Sequence, residues 1–149
     1  MVSLIDLGSG NERPIAGAPW LSEDGRFSPD GRLFASPMGP KGVVYSTTTF
    51  EPMRTLSATM HGMFGAAFSP DSRRLAFTMS GFEAVRLWDT ESWEQVLTLE
   101  AGASRLLNSA FSPDGNVLGA MSFWGTLHLW RAPSWTEIAA AEKARAARL

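Results

Sequence analysis

The side chains that could carry acid–base or metal chemistry in this sequence are few and scattered. It has two histidines and no cysteine, which excludes a thiolate nucleophile and a cysteine metal site. His128 alternates with Leu127 and Leu129, a pattern that favours an ordinary place on the outer face of a strand over a metal or catalytic role. His61 stands beside Gly62, and we interpret it as a loop-packing residue or as part of a binding rim.

Three aspartates recur at one position of a repeated segment: Asp30, Asp71 and Asp114 each follow Ser-Pro. In such a segment Pro presets the backbone for a turn, Asp bonds back to the chain, and a following Gly accepts the left-handed conformation. We therefore expect turn-forming residues rather than a carboxylate pair for acid–base work, with the turn of one unit far from the turn of the next. Motifs for a nucleophile elbow, a phosphate-binding loop or a zinc helix are missing too. The sequence thus predicts no enzyme, no cofactor and no metal site.

Aromatic side chains are the most promising set for recognition, with six Trp, nine Phe and one Tyr. Phe82 and Trp124 stand in predicted tight turns, and Trp93 stands in a turn that follows a strand. Aromatic residues with Arg nearby are the usual components of a protein-binding hot spot. The candidate partner-binding residues are Phe82, Trp124, His61, Arg105 and Trp93. The alternatives are that Phe82 and Trp124 pack locally or close an oligomer, and that Trp93 is a buried turn anchor.

Composition and charge narrow the classes of partner. A formal net charge of −2 supplies no general attraction to nucleic acid or to anionic lipid. No stretch approaches the about 20 apolar residues of a membrane span, and no export signal is visible at the start. Together with the lack of cysteine, this predicts a cytoplasmic protein that binds neither nucleic acid nor membrane.

The elements that would position these side chains follow a repeat. Phe-Ser-Pro-Asp begins at Phe27, Phe68 and Phe111, with spacings of 41 and 43 residues. A second marker, the last residue of an alternating apolar run, keeps the same phase at Ile5, Tyr45, Trp88 and Trp130. A third marker follows at Phe50, Trp93 and Trp135. Period-two alternation between closely spaced turns predicts short antiparallel strands and an all-β chain. In one such strand we expect Val85 and Leu87 to point inward and Arg86 outward.

These motifs resemble those of the WD-repeat β-propeller family, in particular the bacterial type whose repeats contain Phe-Ser-Pro-Asp-Gly and then Val-Arg-Leu-Trp-Asp. The resemblance covers the chain from Val2 to about Ile138, and it implies that each repeat forms one blade of four antiparallel strands. It also implies that Trp88 and Trp130 pack in the core. Only Trp88-Asp89 keeps the name-giving dipeptide, and aromatic residues replace the family's buried turn Asp. We therefore expect blades held together mainly by hydrophobic stacking.

The predicted organisation is about three and a half blades with a short C-terminal helix. It comprises a half blade over residues 1–20, blades over 21–58, 59–101 and 102–135, and a helical tail over 136–149. Ser-Trp-Thr-Glu from Ser134 has the spacing of a capping box, which predicts a helix over about 136–147 in competition with an outer strand of the last blade.

The predicted number of blades is too small to close a ring, and this affects the predicted function. Family propellers close with about four to eight blades, so this number of blades leaves two apolar faces open. We expect either the C-terminal part of a longer propeller or a homo-oligomer. The resemblance implies a scaffold that binds other proteins or peptides through loops on the propeller rims. The alternative is a self-associating fragment that completes a ring, and an enzymatic propeller is the least favoured hypothesis.

Overall fold

The described part of the protein is all-β. The computed structural model describes residues 2–15, 24–57, 62–80, 83–102, 105–133 and 143. Within these ranges, thirteen strands pair antiparallel in four sheets, which confirms the predicted all-β, antiparallel class. The predicted helical tail lies outside the described residues except for Lys143, and it stays a prediction.

Within each sheet, strands that follow one another along the chain pair with each other, so the first sheet is a hairpin and the other three are meanders. The first sheet contains β1 (Ser3–Ile5) and β2 (Glu12–Pro14). The second contains β3 (Arg26–Phe27), β4 (Leu33–Met38), β5 (Lys41–Ser46) and β6 (Pro52–Ser57). The third contains β7 (Met63–Phe68), β8 (Arg74–Met79), β9 (Glu83–Asp89) and β10 (Gln95–Glu100). The fourth contains β11 (Leu106–Phe111), β12 (Val117–Ser122) and β13 (Leu127–Arg131).

The Ser-Pro-Asp segments form one turn three times, between the first two strands of the second, third and fourth sheets. In the first copy the Ser28 hydroxyl donates to Asp30 Oδ1 at 2.6 Å, and the Leu33 N–H donates to Ser28 Oγ at 2.9 Å. The Ser–Asp bond recurs at 2.6 and 2.5 Å in the other two copies. The next residue is left-handed in each copy, with φ of 72° at Gly31, 61° at Ser72 and 75° at Gly115. The repeated aspartates therefore form turns, as expected.

The sheets stack face to face in chain order. The face that carries Tyr45, Trp88 or Trp130 is here called the aromatic face of its sheet, and the opposite face is called the small-residue face. Between the second and third sheets, Ala35 packs in one cluster with Phe77 and Trp88. Between the third and fourth sheets, the equivalent cluster contains Ala76, Leu87, Leu118 and Ala120. The aromatic face of each sheet thus packs on the small-residue face of the sheet before it.

Because the sheets stack on one another, two expectations about which strand faces are buried were wrong. Arg86 is only 8% exposed, because sheets lie on both sides of β9. Leu127 and Leu129 are 56% and 64% exposed. His128 is half-buried, with its ring stacked on Trp130 at a centroid distance of 5.9 Å. The alternation was predicted correctly, but in β13 the assignment of the two faces was reversed.

Neighbouring turns touch, contrary to the expectation that they lie far apart. The Asp30 N–H donates to Ser72 Oγ in the next sheet at 3.0 Å. Each carboxylate nevertheless stays bonded within its own turn. The Ser hydroxyl is the main cause that lowers the pKa of Asp30, Asp71 and Asp114 below the ordinary value of 3.8, so the three side chains are ionised at neutral pH.

At Gly65 the backbone of the third sheet lies directly against the backbone of the fourth sheet. A Cβ atom at this position would lie 2.5 Å from Leu107 O and 3.0 Å from Asn108 Cα. The buried Thr78 hydroxyl accepts a hydrogen bond from the Gly65 N–H at 2.7 Å and donates to Leu107 O at 3.0 Å. The missing side chain at position 65 therefore allows Thr78 to join the two sheets.

Candidate interaction surface

The structure separates the candidate residues that it describes onto two rims of the stack. Trp124 follows the end of β12, and Arg105 precedes the start of β11, at the same end of the fourth sheet. Trp93 follows β9 on the opposite rim, where the Ser-Pro-Asp turns also lie. It is half-buried against the core between the second and third sheets, with φ of 61°. Phe82 and His61 lie outside the described residues.

A tight turn presents Trp124. The Gly125 N–H donates to Ser122 O at 3.0 Å, which closes a β-turn with Phe123 and Trp124 at its two central positions. Gly125 has φ of 82°, a conformation that glycine adopts without steric cost. The Thr126 N–H donates to Ser122 Oγ at 3.0 Å and fixes the base of the turn. The two aromatic side chains therefore project from a short, well-bonded loop.

Arg105, Phe64, Phe123 and Trp124 form one cluster, here called the Arg105 cluster. The Arg105 guanidinium carbon lies 4.0 Å from the centroid of the Phe64 ring and 6.0 Å from that of Phe123. The rings of Phe123 and Trp124 meet edge to face, with centroids 5.2 Å apart. The Phe123 N–H donates to Arg105 O at 2.9 Å. Each cation–π or aromatic pair of this kind contributes about 0.5–1.5 kcal/mol, so the four side chains hold one another in place.

The Arg105 cluster presents a large apolar surface to solvent. Trp124 is 81% exposed and Phe123 is 56% exposed. Arg105 is also exposed, whereas Phe64 beneath it is half-buried. Trp and Arg are among the residue types that dominate protein-binding hot spots. The cluster can therefore bury aromatic surface against a partner with little loss of side-chain freedom.

Sequence reasoning found only half of this cluster. It identified Trp124 and Arg105, but it missed Phe64 and Phe123. Phe64 belongs to the preceding repeat and reaches Arg105 only through the stacking of the third and fourth sheets, so no local pattern indicates it. Phe123 stands next to Trp124 in the same turn, and that adjacency was a usable signal.

Polar grooves run between the sheets on the opposite rim. One groove of about 640 Å³ has Asp71, Arg73 and Asp114 in its lining. An equivalent groove of about 620 Å³ lies one sheet earlier and includes Asp30 and Arg32. The Arg32 Nε lies 3.3 Å from the Asp30 carboxylate, so part of this charge is neutralised within the groove. Because these side chains already pair locally, the grooves are weaker candidates than the Arg105 cluster.

Neither a scan against models of protein families nor a search of curated proteins returns a match for this chain. In the described ranges, no group of three or more His, Asp or Glu side chains could hold a metal ion. No helix in the same part of the chain is long and apolar enough to span a bilayer.

Proposed function

We propose that this chain is a stretch of WD-type β-propeller that works as a protein-interaction platform. The binding role depends on one observation: the exposed pair of Phe123 and Trp124, which Arg105 joins to Phe64 in the neighbouring sheet. The bound partner is a protein or peptide, and its binding involves no nucleic acid, membrane or cofactor. We also propose a cytoplasmic location, and the lack of cysteine in the chain fits a reducing compartment.

The stacking of the sheets supports the propeller interpretation. The backbones of neighbouring sheets approach most closely at the first two strands of each meander: β3 and β4 lie near β7, and β11 lies near β7 and β8. The blades of a propeller approach one another in this way around the central channel. The three Ser-Pro-Asp turns lie side by side on one rim, as equivalent positions of successive blades would.

The geometry of the Arg105 cluster defines the kind of partner. The partner should provide an apolar pocket or groove that removes the Trp124 ring from water, because most of this residue is exposed in the free protein. Arg105 lies beside it and can pair with a carboxylate at the edge of that pocket. A peptide that carries an acidic residue close to apolar side chains fits both requirements.

The test is selection of a peptide-display library on the immobilised chain, followed by titration calorimetry of the selected peptides. Trp124→Ala should weaken binding at least tenfold, because it removes the largest exposed ring of the cluster. Leu97→Ala is the matched control, since Leu97 is 49% exposed on the outer strand β10, and it should change binding less than twofold. Equal thermal unfolding of both variants shows that the fold is intact. A selection without binders, or binders that ignore Trp124→Ala, would contradict the proposal.

A further inference from the structure

The guanidinium of Arg105 has no polar partner among the residues that the structure describes. Within those ranges it contacts the rings of Phe64 and Phe123, and it forms neither a hydrogen bond nor an ion pair. An arginine side chain carries a planar fork of N–H donors and no acceptor. Arg105 is also exposed, so all of these donors can be offered to a bound molecule.

Phe64 holds this guanidinium more closely than Phe123 does. The guanidinium carbon lies 4.0 Å from the centroid of the Phe64 ring, which is van der Waals contact between carbon atoms. Such a distance is reached only over the face of the ring, because the ring's own atoms block an approach at its edge. The corresponding distance to Phe123 is 6.0 Å, the outer limit of a cation–π contact. The place of the guanidinium is therefore set mainly by Phe64.

The two stacked side chains start from backbones that are fixed in different sheets. Phe64 belongs to β7, where the next residue, Gly65, lies against the backbone of Leu107. The carbonyl of Arg105 accepts the Phe123 N–H at 2.9 Å. Phe64 is half-buried, whereas Arg105 is exposed. A supported ring thus lies under one face of the guanidinium.

A guanidinium that is held in place binds a carboxylate at a smaller entropic cost than a mobile one. Arginine loses much of its side-chain freedom when it forms a bidentate pair, and the stack on Phe64 removes part of that freedom before a partner arrives. The ring also keeps water from one face of the cation, which strengthens its attraction to an anion. A neutral amide gains less, because its hydrogen bonds to a guanidinium lack the second charge.

We propose that Phe64 is a positioning residue that makes the Arg105 cluster selective for a carboxylate over a neutral group of the same shape. The charge of Arg105 alone does not give this selectivity, since a mobile exposed cation pairs weakly with a carboxylate. The inference rests on the proposed function for its biological meaning, because it names the chemical group of the partner that the cluster distinguishes. The selectivity itself is measurable without that partner.

The probe is sodium acetate, with acetamide as its neutral counterpart, added at constant ionic strength to the intact 149-residue chain. The measurement is the NMR signal of the Arg105 Nε–H group, assigned by its loss in Arg105→Lys. The Phe64 ring should shift this signal upfield, and acetate should move it more than acetamide does. Phe64→Leu should abolish the upfield shift and lower the apparent acetate affinity at least threefold. Phe64→Tyr keeps an aromatic face and should preserve both properties.

A matched control and a second readout separate positioning from a general loss of structure. Phe27→Leu makes the same change at a residue that is 58% exposed in the second sheet, and it should alter neither the signal nor the acetate affinity. Phe64→Met fills a similar volume without an aromatic face, and it replaces Phe64→Leu if that variant unfolds. With peptides from the selection described above, changing the acidic residue to its amide should weaken binding to wild type at least fivefold and to Phe64→Leu less than twofold. Arg105→Lys should behave like Phe64→Leu, because it keeps the charge without the planar fork.

The outcomes distinguish this inference from the proposed function. An Arg105 signal or an acetate affinity that Phe64→Leu leaves unchanged would overturn the inference, whereas peptide binding that depends on Trp124 would still stand. A selection without binders, together with an acetate response that requires Phe64, would contradict the interaction platform and support the role of Phe64.

Discussion

The substitution Gly65→Ala tests whether the backbones of the third and fourth sheets lie directly against each other. The new methyl group would lie 2.5 Å from Leu107 O and 3.0 Å from Asn108 Cα. Backbone atoms cannot turn aside as a side chain can, so β7 and β11 must move apart. Such overpacking costs about 1–3 kcal/mol. The movement also lengthens the Thr78 hydrogen bonds to Gly65 N and Leu107 O, and unpaired buried groups cost about 1–3 kcal/mol more.

The expected loss in the free energy of unfolding is about 2–5 kcal/mol after allowing for the reduced entropy of the unfolded chain with alanine. The measurement is urea unfolding followed by tryptophan fluorescence. Gly62→Ala is the matched control: the nearest atom to its Cβ would be Phe64 Cζ at 3.6 Å, so its stability should stay within about 1 kcal/mol of wild type. If Gly65→Ala unfolds at the same urea concentration as Gly62→Ala, the reasoning about sheet contact is wrong.

Three further perturbations follow from the same structure. Thr78→Val keeps the shape of the buried side chain but removes its hydroxyl, so the free energy of unfolding should fall by about 1–3 kcal/mol in urea titrations. Ser72→Ala keeps the left-handed φ of 61° and loses the bond from the Asp30 N–H, so it should destabilise by about 1 kcal/mol. Ser72→Gly loses the same bond but relieves the backbone conformation, so it should be nearly neutral. The lowered pKa of Asp71 means that its stabilisation is present above about pH 4 and is lost as the pH falls below that value. Melting temperatures measured from pH 7 to pH 2.5 should therefore drop more steeply in wild type than in Ser69→Ala.

Each of these perturbations has a result that would count against it. A Thr78→Val protein as stable as wild type would mean that the hydroxyl does not join the sheets. Equal stability of Ser72→Ala and Ser72→Gly would remove the argument from backbone strain. A Ser69→Ala protein with the wild-type pH profile would show that the hydroxyl does not set the Asp71 pKa.

The short-range features of this protein were predictable from its sequence. The Ser-Pro-Asp turns formed as expected, because the hydrogen bonds that close each turn, such as those between Ser28, Asp30 and Leu33, join residues at most five positions apart. The antiparallel strands followed from alternation between turns. Trp124 and Arg105 were named as candidate partner-binding residues, and the structure shows that both are exposed. These inferences need only the chemistry of a few neighbouring residues.

Tertiary structure decided which faces are covered, and the sequence pattern could not. Phe27 and Phe68 occupy the same place in the repeat, yet one is exposed and the other is buried, because the sheet packed beside each residue differs. The alternation at His128 and Leu129 was visible in the sequence, but the side that faces the third sheet was not. The contact of Arg105 with Phe64 likewise joins two repeats that meet only in the stack. By itself the sequence determined the local turns and the antiparallel strands, since those depend on near neighbours. Packing between sheets alone decided which residues are buried and the shape of the binding surfaces.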